Sequence, residues 1–160
     1  MTAVAEHHPD TTDDPLDRLS RYYHGTFDWP TTIDSTTGEV HLHIGSTVDA
    51  LIMRAGFAAE VNNFLVRNMF RAPIIVVPGD PNDWIFLTGP RTTMRLTTWD
   101  DLVRIQVGWK RRSEVLALPA PDSSARGLRW LQRPEPGTEL PPWSAVVGAA
   151  RASSSLCGTW

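Results

Sequence analysis

Two histidines separated by one residue, His41 and His43, are the first groups in this chain whose type and spacing suit chemistry. On a β-strand, residues two apart lie on the same face, about 7 Å apart along the backbone, and two imidazoles so placed can hold a divalent metal if further ligands converge. Glu39 falls on the same face. The same pattern equally suits the solvated polar face of an edge strand. Asp49 is a lone acid opening an apolar run, Val48 to Met53. A carboxylate there can ligate a metal, although phosphoryl transfer normally needs two or more acids, and Leu51, two residues on, is apolar. A strand-end aspartate bonded to a turn or cap is the simpler alternative.

A second chemistry belongs to Gly108-Trp109-Lys110-Arg111-Arg112, which joins an aromatic residue to three consecutive cations. Arg91 and Arg95 extend the set. Arginine makes bidentate contacts with phosphate, so Arg91, Arg95, Lys110, Arg111 and Arg112 are candidate nucleic-acid-binding residues. A solvated basic face, or cations complementing a helix C-terminus, explains the same residues. Trp84 and Phe86 alternate on one strand face, where they serve either as core or as base-stacking aromatics. The segment Pro78 to Asp83 carries the Asp, Asn, Pro and Gly of a turn rather than a phosphate-cradling loop.

The elements that position these residues follow from periodicity. Asp13 or Asp14 caps a first helix with Pro15 in its first turn and Gly25 at its end. Phe27 to Ile33 and Glu39 to Ile44 form a hairpin around Asp34 to Gly38. Then come an apolar strand at 48–53, a helix at 55–70 with the stripe Phe57, Val61, Phe64, Leu65 and Met69, strands at 74–77 and 84–87, a helix at 99–107 capped by Thr98, and a strand at 114–118. This β-α-β-β-α-β order is the split βαβ plan of ferredoxin-like and RNA-recognition folds. The expected class is α+β: a mixed sheet with that unit, preceded by a helix and a β-hairpin. Ile74 to Val77, apolar on both faces, is expected inside the sheet. Leu128 to Leu131 reads as an edge strand and Trp143 to Ala152 as a terminal helix packed through Trp143, Val146 and Val147. Residues 1–12 are expected to form a disordered tail, 13–152 one globular domain, and 153–160 a flexible tail.

Bulk properties narrow the class. The chain has 160 residues, 41% hydrophobic and 21% charged, with a net charge of −3. No apolar run reaches the roughly 20 residues that cross a bilayer, and Met1 to Asp14 lacks the pattern of a signal peptide. With a single cysteine, Cys157, there is no internal disulfide and no cysteine-based zinc site. A cytoplasmic location without membrane contact is expected. Charge is uneven: residues 1–14 carry four acids and no Lys or Arg, while residues 89–133 carry nine basic residues against four acidic ones. A basic half of this kind attracts phosphate.

The succession Trp29-Pro30, Val48-Asp49-Ala50-Leu51, Ala72 to Pro78 and Trp84-Ile85-Phe86-Leu87-Thr88-Gly89-Pro90 resembles small actinobacterial proteins grouped with the bifunctional DNA primase/polymerase N-terminal (prim-pol) domains. Gly108-Trp109 and Arg129-Trp130-Leu131 fit the same outline, over roughly residues 15–150. The resemblance implies the archaeo-eukaryotic primase fold, whose core holds an RNA-recognition-like unit. Active members carry an acidic pair on a strand, a histidine on another and a further acid. Only Asp49 can be laid on the first motif, and His41 and His43 precede that strand. The resemblance therefore implies a catalytically degenerate member in a regulatory role, without a resident cofactor, that binds DNA, RNA or a protein partner. The alternatives are a metal-dependent (Mg, Mn or Zn) nucleotidyltransferase or nuclease using Asp49, His41 and His43, and an interaction module forming a homo-oligomer.

Overall fold

The computed structural model describes residues 13–120 and 127–157. The chain is α+β. Its elements are α1 (Pro15–Phe27), β1 (Thr31–Asp34), β2 (Glu39–His43), β3 (Asp49–Arg54), α2 (Ala55–Arg67), β4 (Ile74–Val77), β5 (Asp83–Thr88), α3 (Leu96–Arg104), β6 (Gly108–Trp109), β7 (Val115–Leu118), β8 (Arg129–Gln132) and α4 (Trp143–Cys157).

The strands form two sheets, β1-β2-β7 and β6-β3-β5-β4-β8. Every pairing is antiparallel, so two antiparallel sheets replace the single mixed sheet expected from sequence. Within the larger sheet, β6, β3, β5 and β4 keep the order of a split βαβ unit, with β3 and β4 both flanking β5. The fourth strand of that unit is Gly108–Trp109, which pairs with Ile52 and Leu51. The run expected in its place, Val115–Leu118, crosses to the other sheet and pairs with β2. Its alternation gives the reason: Leu116 and Leu118 are buried whereas Val115 and Ala117 are not, which suits a sheet covered on one face only.

Side chains leave a strand on alternate sides, so the larger sheet feeds two cores. Leu51, Met53, Ile74 and Phe86 pack against Val61 and Leu65 of α2 and Trp143 and Val146 of α4, with Trp84 beside them. Trp84 and Phe86 thus face the helices as core. Ala50, Ile75, Ile85 and Leu87 pack against Val40, Leu42, Leu116 and Leu118 of the smaller sheet and against Tyr23 and Trp29. The result is helices, sheet, sheet, with α1 closing the second core.

Helix ends depart from the sequence reading. Asp14 caps α1 as expected, accepting from the Leu16 amide at 3.1 Å. However, α1 continues through Gly25 and ends at Asp28 in a left-handed conformation, φ 56°. Helix α2 ends at Arg67 with Met69 at φ 62°, and Met69 is 94% exposed rather than part of the buried stripe. Helix α3 begins before Thr98 and ends with Gln106 at φ 60°. Helix α4 extends past Ala152 to Cys157, so part of the expected C-terminal tail is helical. The expected N-terminal tail at 1–12 and residues 158–160 lie outside the described residues. No helix among the described residues is long and apolar enough to cross a membrane.

Candidate functional site: a buried ion pair behind a basic turn

Asp49 opens β3 opposite Thr88 of β5 and is completely buried. A buried carboxylate needs a counter-charge and hydrogen bonds to offset its lost hydration. Arg91, just beyond the end of β5, supplies both. Its backbone N–H donates to Oδ2 at 2.8 Å, its Nε to Oδ1 at 3.0 Å and its Nη2 to Oδ1 at 2.6 Å. The guanidinium carbon lies 5.0 Å from the centroid of the Trp143 ring of α4, a cation–π contact. Trp143 donates its indole N–H toward Met94 Sδ at 3.3 Å, and Trp99 packs against both Trp143 and Trp109, at 6.1 and 4.7 Å between centroids.

The guanidinium has one further partner. Arg91 Nη2 donates to the Lys110 carbonyl at 2.5 Å, while the Lys110 amide donates to the Ala50 carbonyl at 3.1 Å. The buried pair therefore grips the chain where it leaves β6 as Lys110-Arg111-Arg112. Beyond that point, the Arg111 amide donates to Glu114 Oε2 at 2.5 Å, the Ser113 amide to the Ile44 carbonyl at 3.1 Å, and the Ile44 amide to the Glu114 carbonyl at 3.0 Å. Arg112 lies against Gly45, whose φ of +111° and lack of a Cβ allow this approach: a Cβ there would stand 2.8 Å from Arg112 Cγ. Arg111 and Arg112 are exposed and Lys110 is partly so. Arg95, also exposed, is the N-terminal flanking residue of α3, one turn before Trp99. Among the described residues, none of Arg95, Lys110, Arg111 and Arg112 forms an ion pair.

The structure thus divides the residues singled out from sequence. Arg91 is withdrawn from the phosphate-binding set, because its charge is matched by Asp49 and its side chain is only 12% exposed. Asp49 is likewise engaged on both carboxylate oxygens. His41 and His43 share the outer face of β2, as the spacing requires, but take separate partners: His41 Nε2 lies 3.1 Å from Glu39 Oε2, and His43 Nε2 is 2.8 Å from Thr32 Oγ1. Asp49 does not join them, and among the described residues no group of three or more His, Cys, Asp or Glu side chains is placed to hold a metal. The residue missed from sequence is Arg91 as the partner of Asp49. Its signal was present: an acid inside an apolar run demands a cation, and Arg91 stands three residues past the strand that pairs with that run. Set beside protein families, curated proteins and solved structures, the chain matches none of them.

Proposed function

We propose that this chain is a binding protein rather than an enzyme: a degenerate prim-pol-like protein acting in the cytoplasm, which takes the phosphate backbone of a nucleic acid on Lys110, Arg111, Arg112 and Arg95. One observation carries this reading. The acid at the place where nucleotidyl transfer would need a free carboxylate is closed into a buried pair with Arg91, and that pair holds the Lys110 carbonyl. Asp49 so positions the basic turn. The nucleotidyltransferase alternative would need Asp49 released from Arg91 before it could reach a metal. A regulatory role follows from binding without turnover.

The test is fluorescence anisotropy with a labelled single-stranded oligonucleotide over a salt series. Four phosphate contacts on a single strand give a slope of log K against log salt near −3, or about a fiftyfold loss between 50 and 200 mM salt. Changing Lys110, Arg111 and Arg112 together to alanine should flatten the slope by about 2. Binding that ignores salt, or survives the triple change, rejects the proposed surface. A second reading, contact with a protein partner or a second copy, has its own support: α3 exposes Leu96 (81%) and Val103 (64%) on one face. Mass that rises with concentration and falls in Val103→Glu, without oligonucleotide binding, would select it.

A further inference from the structure

A cleft of about 490 Å³ opens where the end of α1, the β2–β3 turn, the approach to β4 and the chain after β8 meet. That volume suits a small organic molecule. Phe27, partly buried and backed by the buried Trp29, gives the cleft an aromatic wall. The wall is braced: Phe27 and Trp29 lie 5.1 Å apart, Trp29 stacks on Tyr23 at 5.6 Å with an 8° tilt, and Tyr23 Oη accepts from Trp130 Nε1 at 3.2 Å. The Asp28 amide closes the end of α1 on the His24 carbonyl at 2.9 Å, so the site is largely pre-formed.

Its electrostatics are opposite to those of the basic turn. Asp28, Glu135 and Glu139 line it, and Arg71 is its one basic residue among those described. Arg71 is already engaged, donating to the Arg133 carbonyl at 2.7 Å and lying 3.5 Å from Glu135 Oε1. Asp28 and Glu139 have no ion-pair partner among the described residues.

We infer that this cleft binds an organic cation: a guanidinium or primary ammonium on a short apolar stem, with the stem against Phe27 and the charged head between Asp28 and Glu139. An aromatic face and a carboxylate both favour such a head, and the same carboxylates repel phosphate. The site is separate from the proposed nucleic-acid surface and stands whether or not that surface binds.

The test is a ¹H–¹⁵N NMR titration of the full chain with agmatine, with the tripeptide Gly-Arg-Gly, and with pentanoate as an anionic control of similar length. Either cation should shift the Trp29 indole and the Thr47 and Thr138 amides, while pentanoate should not. Agmatine alone identifies a free small cation as the source, and the tripeptide alone identifies a basic side chain of a partner. Asp28→Asn, which keeps a residue at ease in the left-handed region, and Glu139→Gln should each weaken binding by about fivefold, the scale of one exposed charge pair. Silence with both cations, equal shifts with pentanoate, or unchanged affinity in both variants overturns the inference.

Discussion

Removing the Asp49 carboxylate separates a structural ion pair from a vacant metal site, because the two differ in sign. In the structure, Asp49→Ala deletes three charge-assisted hydrogen bonds and leaves the Arg91 guanidinium in place, held by the Lys110 carbonyl and the face of Trp143. With its side chain 12% exposed, Arg91 cannot rehydrate without opening the end of the sheet. An orphaned buried charge of this kind costs about 3–5 kcal/mol. For a chain of this size each kcal/mol moves Tm by about 2–4 °C, so the variant should melt roughly 6–20 °C lower. Acids gathered for an absent metal repel one another or stand unpaired, so removing one would leave stability unchanged or raise it. The assay is urea unfolding followed by tryptophan fluorescence, with the slope checked for constancy so that the change in midpoint reports stability. A double-mutant cycle with Arg91→Met should return a coupling energy above about 2 kcal/mol, since apolar replacement of both partners relieves the stranded charge. A cost below about 1 kcal/mol for Asp49→Ala, or a coupling near zero, would refute the claim that this pair holds the basic turn.

Gly45→Ala should destabilise by about 1–3 kcal/mol and weaken oligonucleotide binding, because the new Cβ meets Arg112 backbone at 3.0 Å with φ at +111°; an unchanged urea midpoint and anisotropy would contradict it. Met69→Gly should stabilise the fold by about 1 kcal/mol, read as a higher urea midpoint, since Met69 sits at φ 62° where the Phe70 and Met69 amides close α2 on the Leu65 and Val66 carbonyls, and its exposed side chain packs on nothing to be lost. Burial raises the Tyr23 hydroxyl above its usual pKa of 10.0, only partly offset by the Trp130 hydrogen bond. That contribution is fully present below pH 10 and is lost as pH rises through the folded value, so base titration should lower Tm above pH 10, and Tyr23→Phe should remove that part of the slope.

Much of the fold was legible because periodicity reports burial directly. The β-α-β-β order from Asp49 to Thr88 and the inward set Trp143, Val146 and Val147 follow from alternation and helical spacing alone. Apart from Val115–Leu118, which joins the smaller sheet, the errors cluster at helix ends. Gly25 looked like a stop, yet nothing in its surroundings forces one, and Asp28, three residues later, takes the left-handed position. Met69 and Gln106 do likewise, and neither residue type advertises a cap. The site was half legible: Asp49 and the Lys110–Arg112 run stood out by type, but their linkage depends on antiparallel pairing that carries Arg91 back beside Asp49. No local spacing encodes a contact across that many residues.

The topology also accounts for where the cations sit. A split βαβ sheet covers one face with helices and leaves the other free; here that second face is buried against Val40, Leu42, Leu116 and Leu118 of the smaller sheet. A partner therefore has to meet the sheet at its edges and turns. β6, an edge strand of the larger sheet, lasts only two residues, and by Val115 the chain already pairs with β2 in the smaller one. Lys110 to Glu114 is that crossing. A crossing between sheets cannot be held by either ladder, so it needs anchors from both: the Ala50 carbonyl and the Asp49–Arg91 pair on one side, Ile44 and Gly45 on the other. The buried acid is thus placed where the fold needs a fastener, and the cations fall on the segment it fastens. Loosening the anchor while keeping Arg95, Lys110, Arg111 and Arg112, as Arg91→Met does, should then weaken oligonucleotide affinity with the salt slope unchanged; a variant that binds as tightly as the parent would show that the turn needs no such support.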